Sequence, residues 1–480
     1  MLLLEGCGLR SVPGVDAGLF MCQFCEITER TLRVMTAPVL QGVTVLKPTS
    51  LLFILSSALL IGCASVPDMP VSSSLRPDYV TAVTVSSSDT PASVARRAGG
   101  TVLAWPENCD AASDVCTALV GLEEMPKATT LSAQEVGAVE VNRDVFSGGG
   151  ALTAVVGGSR AIWSGGSMTV WSSGSRAIWS GGTYSVLPEN TGLWQKIGLE
   201  RAHGLARNLG AGVVVAVVDT GIDLTHPAFA GALTAPGTWK DFYAGDAVPQ
   251  EEGAAGTGAY GHGTNVAGIV LQVAPAAKIL PIRALGPDGS GDVAGVAQAI
   301  TYAADQGAQI INLSLGSAEK SAIIQDAVKR VSERGVLVVS SAGNEDRSRI
   351  TYPAALADSK GATGENTLSV GSVDLNDVKS VFSNYSKSLE LVAPGESVYA
   401  PYPGGMMAAW SGTSMAAPMA SGGLALALGQ SLKVNRRDLI KKMADTAADV
   451  YGNDLNRPYQ DQLGVKGRLD LVRFLSSSVQ

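Results

Sequence analysis

The feature that most constrains the fold is a run of six apolar residues, 213–218, that ends in an aspartate. Five of the six residues are valine. A strand that is apolar at successive positions is buried on both faces, which is typical of a parallel sheet covered by helices. Asp219 follows at the carboxyl end of this strand, the edge where open α/β sheets carry their sites. The run therefore predicts an α/β domain with a functional carboxylate.

Further strands and helices alternate after Asp219. Strands are predicted at 278–283 and 309–316, and helices from His262 to about 273 and over 293–306. Alternation of this kind favours a doubly wound, mainly parallel sheet with helices on both faces.

A second candidate lies near the end of the chain, in Gly-Thr-Ser-Met-Ala-Ala-Pro (412–418). Small residues followed by an apolar run predict a loop that enters a buried helix. This loop places Ser414 near a helix N-terminus, where backbone N–H groups favour developing negative charge. By itself such a serine is usually only a helix cap.

A serine nucleophile needs a base, and the chain has only 3 histidines. His262 lies between two glycines at the start of a predicted helix, which makes it the candidate base. His226 precedes a proline and is predicted to be a structural turn residue. His203 lies on a polar helix and is predicted to face solvent.

Four motifs in order resemble those of the subtilisin-like serine proteases. They are Val-Val-Asp-Thr-Gly-Ile-Asp (217–223), Gly-His-Gly-Thr-Asn-Val-Ala-Gly (261–268), Ser-Ala-Gly-Asn (341–344) and the segment around Ser414. The resemblance covers residues 190–480 and implies a serine endopeptidase that works through an acyl-enzyme. It assigns Asp219, His262 and Ser414 to the catalytic triad and the Asn344 amide to the oxyanion hole.

The resemblance also implies the substrate and its binding edges. Ser314, Leu315 and Gly316 match the family's edge that pairs with the substrate backbone, and Ala342 and Gly343 would line the primary pocket. The expected partners are protein or peptide substrates. No cofactor is required, and calcium is left open as a structural ion because Asp288 and Asp292 also fit ordinary turns.

The N-terminal residues predict export. Residues 1–62 are interpreted as an over-extended start, with the true start near Met35, followed by a signal peptide with an apolar run at 51–61. Cys63 ends a segment that resembles a bacterial lipobox, so it is the predicted lipidation site of an anchored envelope protein. Delivery to an outer membrane and secretion are both left open. The alternative is a simple secretory signal cut near Ala64.

The remaining cysteines fit an exported chain. Cys22 and Cys25 form a Cys-x-x-Cys pair, a weak metal or redox signal without a second pair. Once the leader is removed and Cys63 is lipidated, Cys109 and Cys116 remain. An export route allows these two to form a disulfide across a short loop.

Three segments are predicted between the anchor and the catalytic domain. Residues 63–77 form a tether. Residues 78–146 predict a small α+β domain with a strand at 79–85, a helix at 91–98 and strands at 101–105 and 139–143. By resemblance this domain is the protease's own inhibitory propeptide, which is removed by self-cleavage; the alternative is a separate binding module.

Residues 147–189 contain an internal repeat, in which Gly-Ser-Arg-Ala-Ile-Trp-Ser-Gly-Gly occurs at 158–166 and at 174–182. Short apolar triplets between Gly-Ser pairs predict a docked hairpin stack, with a flexible linker as the alternative.

Charge excludes one class of partner. The chain has 35 basic and 43 acidic residues and a net charge of −8, with no basic run, so a nucleic-acid partner is not expected. Two other functions stay open. One is an inactive protease-fold scaffold lipoprotein, and the other is an esterase or acyltransferase that uses the same triad.

Overall fold

The computed structural model describes residues 76–86, 88–106, 116–125, 137–147, 160–161, 179–180, 183–184, 188–430 and 436–478. They belong to one unit, Ser74–Gln480. Among them, no helix combines the length and the apolar character needed to cross a bilayer.

The strands of these described parts are β1 (Tyr79–Val85), β2 (Thr101–Ala104), β3 (Cys116–Leu122), β4 (Glu140–Val141), β5 (Asp144–Ser147), β6 (Arg160–Ala161), β7 (Trp179–Ser180), β8 (Thr183–Tyr184), β9 (Val214–Asp219), β10 (Lys240–Asp241), β11 (Lys278–Arg283), β12 (Ser290–Asp292), β13 (Ile310–Leu313), β14 (Leu315–Gly316), β15 (Leu337–Ser341), β16 (Thr367–Val373), β17 (Leu391–Pro394), β18 (Val398–Tyr402), β19 (Met406–Ser411), β20 (Ala448–Asp449) and β21 (Gly467–Arg468). The α-helices are α1 (Pro91–Ala98), α2 (Thr191–Ile197), α3 (Leu199–Leu205), α4 (His262–Val273), α5 (Val293–Asp305), α6 (Ala322–Glu333), α7 (Ala362–Glu365), α8 (Thr413–Gln430), α9 (Leu439–Asp445) and α10 (Leu471–Ser478).

The central sheet has nine strands in the order β10-β11-β9-β13-β15-β16-β17-β21-β20. All neighbouring pairs are parallel except β20 with β21. The predicted doubly wound α/β fold is therefore confirmed. Strand β9 lies between β11 and β13, so the chain leaves it first toward one edge of the sheet and then toward the other.

Both faces of β9 are buried, as its valine-rich sequence predicts. Val215 and Val217 belong to one hydrophobic cluster, which includes residues of α4 and α8. Ala216 and Val218 belong to a second cluster, formed with α5 and α6. Because successive side chains of a strand point to opposite faces, a strand covered on both sides must be apolar throughout.

The strand predicted over 309–316 is divided at Ser314, so the prediction of one continuous strand is wrong. Its first part, β13, lies in the central sheet, whereas β14 pairs in a separate three-stranded sheet. Ser314 lies at the break, and its hydroxyl donates a hydrogen bond to the carbonyl oxygen of Ser414, 2.9 Å away.

An antiparallel sheet of four strands, β2-β3-β1-β4, precedes the central sheet in the chain. The predicted strand β1 and helix α1 are confirmed, and Thr90 and Gly99 cap the helix as their sequence positions indicate. The predicted strand at 139–143 is shorter, since only Glu140–Val141 pairs. The sequence reading missed β3, which pairs with both β1 and β2.

Two small contacts involve the repeat. Strands β7 and β8 pair with each other in antiparallel orientation, and β6 pairs with β19. The other residues of the predicted hairpin stack lie outside the described residues.

Candidate active site

Asp219 and His262 are joined by a buried hydrogen bond. Asp219 is the last residue of β9 and His262 the first residue of α4. The Nδ1 atom of His262 lies 2.6 Å from Oδ1 of Asp219, and both side chains are buried. A carboxylate on Nδ1 orients the imidazole and leaves Nε2 to exchange a proton.

Gly263 allows the close approach of strand end and helix start. A Cβ atom on Gly263 would lie 2.2 Å from the carbonyl oxygen of Gly221 and 3.0 Å from Cβ of Asp219. The backbone N–H of Gly263 instead donates to the hydroxyl of Thr220, 2.9 Å away. The second glycine of the Gly-His-Gly motif, Gly263, is therefore required, because a side chain there would clash with the loop after Asp219.

Electrostatics at His262 favour the charged imidazolium. Burial alone would lower the pKa of His262, but the Asp219 carboxylate outweighs burial and the pKa is raised above the usual 6.5. The Nε2 atom is buried and has no hydrogen-bond partner among the described residues. The ring packs edge-on against Trp410, with centroids 5.7 Å apart.

Ser414 and Asn344 meet at the start of α8. The side-chain oxygen of Asn344 accepts hydrogen bonds from the backbone N–H and the hydroxyl of Thr413, at 2.8 and 2.9 Å. These bonds fix the amide beside the residue that precedes Ser414. The amide nitrogen Nδ2 is buried and has no partner among the described residues, so it is available as a donor to a developing anion.

Adjacent strands bring these residues together. β9, β13 and β15 are neighbours in the sheet, and their carboxyl ends lead to Asp219, Ser314 and the loop of Asn344. Ser414 reaches this edge from α8, and its hydroxyl lies 3.4 Å from the carbonyl oxygen of Ser314. The predicted triad and oxyanion residues thus lie along one edge of the sheet.

A strand of the same chain already occupies the predicted substrate-binding edge. β5 lies between β12 and β14 and is antiparallel to both. Phe146 pairs with Ser290 on one side and with Gly316 on the other, and Ser147 pairs with Leu315. The backbone of an extended peptide is therefore held from both sides, as in β-strand addition.

Ala342 and Gly343 lie where β15 leads into the loop of Asn344, and Ala342 is buried. Gly343 has a φ of +100°, and a Cβ atom there would lie 2.3 Å from Nδ2 of Asn384. Backbone conformation thus requires this glycine. Its predicted role in an open primary pocket stays a prediction.

The other two histidines serve structural roles. His226 caps a short 3₁₀ turn by accepting the N–H of Ala228, and its Nε2 contacts the carbonyl oxygen of Met406. The prediction that His203 faces solvent is wrong. It is half-buried, and its Nε2 lies 2.8 Å from the carbonyl oxygen of Val273 at the end of α4. The contact forms because α3 places His203 against the end of α4. The polarity of the sequence around His203 does not reveal this neighbour.

Within the described ranges no group of three His, Cys, Asp or Glu side chains could hold a metal ion. Asp288 accepts hydrogen bonds from the backbone and hydroxyl of Ser290, and Asp292 caps α5. Cys116 is disulfide-bonded. Cys109 and the predicted lipidation site Cys63 lie outside the described residues.

Two carboxylates important to the site were missed by sequence reasoning. Glu251 is buried beside the start of α4, and Glu140 lies at the start of α6. Neither carries a motif, because Glu140 comes from a distant part of the chain and Glu251 lies in the loop before α4 and not at the position directly before the helix. The common cap signal, a polar residue directly before the helix, is absent at Gly261.

A carboxylate, an imidazole and a serine at the carboxyl edge of a parallel sheet are the arrangement of an α/β serine hydrolase. The model of the subtilase family matches residues 210–464, slightly more than half of the chain. The chain therefore belongs to the subtilase family and is a serine endopeptidase.

Individual relatives agree with the family model. Thermitase of Thermoactinomyces vulgaris is 40% identical over 263 residues, which cover 52% of this chain and 87% of the relative. Subtilisin BL of Lederbergia lenta is 38% identical over 260 residues, which cover 51% of this chain and 89% of the relative.

Proposed function

We propose that the protein is an exported, lipid-anchored and self-processing endopeptidase whose triad is Asp219, His262 and Ser414. The observation that carries the site assignment is the buried bond between Asp219 and His262 beside an Asn344 amide that is fixed against Thr413. Ser414 is the nucleophile, and it follows Thr413 at the start of α8.

The reaction follows from these contacts. Ser414 attacks the peptide carbonyl while Nε2 of His262 takes its proton and later returns it to the leaving amine. Asp219 holds the tautomer and stabilises the imidazolium. The Asn344 amide, together with the backbone N–H of Ser414, stabilises the oxyanion. Water then releases the acyl group by the reverse sequence of proton transfers.

The proposed substrate is an extended or unfolded polypeptide. Support comes from β5, whose backbone pairs with β12 and β14 and stands in for a substrate strand. Main-chain pairing gives affinity without strong selection of side chains. Ser314, Leu315 and Gly316 form the edge on one side, and Ser290 and Gly291 the edge on the other.

Residues 78–146 act, in this proposal, as an intramolecular inhibitor. Asn142 accepts the backbone N–H of Ala294 at the start of α5, and Glu140 accepts those of Ala322 and Ile323 at the start of α6. Val80 and Leu119 join the hydrophobic cluster that includes α5 and α6. The position of β5 between β12 and β14 favours an inhibitor over a separate binding module, because a binding module would not need a strand in the proposed substrate groove.

The register of β5 indicates where self-cleavage occurs. Ser147, the last residue of β5, pairs with Leu315, which directly follows Ser314, and the carbonyl oxygen of Ser314 contacts the Ser414 hydroxyl. We therefore expect cleavage one or two residues after Ser147. Strand β6 pairs with Trp410 and Ser411, which lie shortly before Ser414 in the chain.

Export and anchoring rest on the sequence around Cys63. Metabolic labelling with a radioactive fatty acid tests them, because the wild type is expected to take up label and enter the membrane fraction, whereas Cys63→Ser is not. Equal labelling of both proteins would contradict the anchor.

A fluorophosphonate probe and two substrates separate the candidate functions. An active serine peptidase is expected to be labelled on Ser414 and to hydrolyse an unfolded protein as well as a small ester. Labelling with ester turnover alone would support an esterase. An absence of labelling in the cleaved protein would support an inactive scaffold and overturn the proposal.

A further inference from the structure

A buried carboxylate, Glu251, connects the two elements that carry Asp219 and His262. It lies in the loop between β10 and α4 and is only 4% exposed. Its Oε2 atom accepts the backbone N–H of Thr264 at 3.2 Å and the Thr264 hydroxyl at 2.9 Å. Thr264 is the third residue of α4, the helix that begins at His262.

Glu251 thereby supplies a cap that α4 lacks. The residue before the helix is Gly261, which has no side chain to accept the first free N–H groups. A carboxylate at this position satisfies one of these donors and interacts favourably with the helix dipole. The backbone holds Glu251 there, since its N–H donates to the carbonyl oxygen of Ile222, 3.1 Å away.

The same carboxylate is tied to the segment after Asp219. The Thr264 hydroxyl that donates to Glu251 also accepts the backbone N–H of Asp223, 2.9 Å away, and Ile222 of the same segment accepts the N–H of Glu251. Thr220 in turn accepts the N–H of Gly263, and its own N–H donates to Asp219 at 2.8 Å. The end of β9 and the start of α4 thus share one network around Glu251.

Several ionisable groups surround this network. Burial, with the negative charge of Asp219 acting in the same direction, raises the pKa of Glu251 to about 7, and hydrogen-bond donors such as the Thr264 hydroxyl act against this rise. Burial raises the pKa of Tyr260 and of Tyr402, and the Glu251 charge acts in the same direction on both. For His262, the Glu251 charge adds to the larger effect of Asp219 in raising the pKa. Asp223 acts on Tyr260 in the same direction.

We propose that Glu251 is a positioning residue for His262, which aligns the start of α4 on Asp219 and supplies negative charge that favours the imidazolium formed during the reaction. This inference rests on the proposed role of His262 as the base. Glu251 does not touch substrate and acts only through its neighbours.

The test is the pH dependence of kcat/KM for Glu251→Gln, measured with a fluorogenic peptide on the processed enzyme. Glutamine keeps the size and one acceptor oxygen but removes the charge. Loss of the charge lowers the pKa of His262, so the acidic limb is expected to move to lower pH, by less than about one unit because Glu251 itself takes up a proton near pH 7. On the alkaline plateau, kcat is expected to fall about 10-fold with little change in KM. The reason is that the variant caps α4 less well and stabilises the His262 imidazolium less.

Glu252→Gln is the matched control. Glu252 is the next residue, and its side chain is 61% exposed in an ion pair with Arg283. The control is expected to leave both the limb and the plateau unchanged. Glu251→Gln profiles that superimpose on the wild type would overturn the proposal, as would an equal shift in the control.

A second measurement covers the case in which Glu251→Gln fails to mature. In the Ser414→Ala background the uncut chain is retained, and the His262 resonances can be titrated by NMR with and without Glu251→Gln. The proposal requires a lower His262 pKa in the double variant, and an unchanged pKa would refute it. Active Ser414→Ala protein would instead show that the assigned triad, on which the inference rests, is wrong.

Discussion

Glu140 is expected to contribute strongly to the docking of the N-terminal domain. Its carboxylate accepts three hydrogen bonds at the start of α6, from the Ser321 hydroxyl at 2.6 Å and from the N–H groups of Ala322 and Ile323 at 3.1 and 3.0 Å. Ser321 itself accepts the N–H of Ile324. Together the two side chains satisfy three backbone N–H donors at the start of the helix.

The change Glu140→Gln removes the charge and one acceptor oxygen. Hydrogen bonds to a charged acceptor contribute about 1.5–3 kcal/mol against about 1 kcal/mol for neutral ones. A half-buried anion at a helix N-terminus adds up to about 2 kcal/mol. Because glutamine keeps part of these contacts, we expect a loss of about 2 kcal/mol, which corresponds to an inhibition constant about 30-fold weaker.

The assay adds a separately produced fragment of residues 64–147 to the processed protease and measures inhibition with a fluorogenic peptide. Glu124→Gln, which alters an exposed carboxylate of the same domain, is the control. Circular dichroism verifies that each fragment is folded. A folded Glu140→Gln fragment that inhibits as well as the control would refute the docking argument.

Three further predictions concern the catalytic site and the disulfide. Asn344→Ala should lower kcat about 100- to 1000-fold with a small change in KM, the magnitude known for the oxyanion donor of subtilisin and carried over from that relative; full activity would exclude the oxyanion role. The acidic limb of kcat/KM should lie above pH 6.5, because His262 must be neutral to act as the base and Asp219 raises its pKa. Asp219→Asn should therefore move this limb to lower pH. A limb that stays in place in the residual activity of the variant would contradict the assignment. Cys116 should pair with Cys109, so thiol counting should find no free thiol in the unreduced fragment of residues 64–147, and two free thiols would exclude the pair. Cys116→Ser should lower the free energy of unfolding of this fragment by about 2.5 kcal/mol, which is the entropy of closing that short loop.

The sequence predicts the parts of this protein that carry local signals. The apolar run before Asp219 marks a doubly covered strand, and β9 is buried on both faces. The glycines around His262 and the small residues around Ser414 mark helix starts, and α4 and α8 begin at His262 and Thr413. Thr90, Pro91 and Gly99 likewise delimit α1 correctly.

The remaining features depend on backbone edges and distant neighbours. β5 pairs through its backbone with β12 and β14, and main-chain hydrogen bonds have no residue signature. Glu140 and Glu251 cap helices that begin far from them or that lack a polar cap residue of their own. At the break, Ser314 contacts Ser414, which lies 100 residues further along the chain, and the local sequence does not indicate such a contact.

Intact mass of the wild type beside Ser414→Ala, both expressed without the signal peptide, tests the central claim most directly. We expect the wild type to be cut one or two residues after Ser147 and the variant to remain whole, because β5 ends against Leu315, next to the residue whose carbonyl oxygen contacts the Ser414 hydroxyl. Cleavage of both proteins at the same bond, or of neither, would contradict self-processing by Ser414.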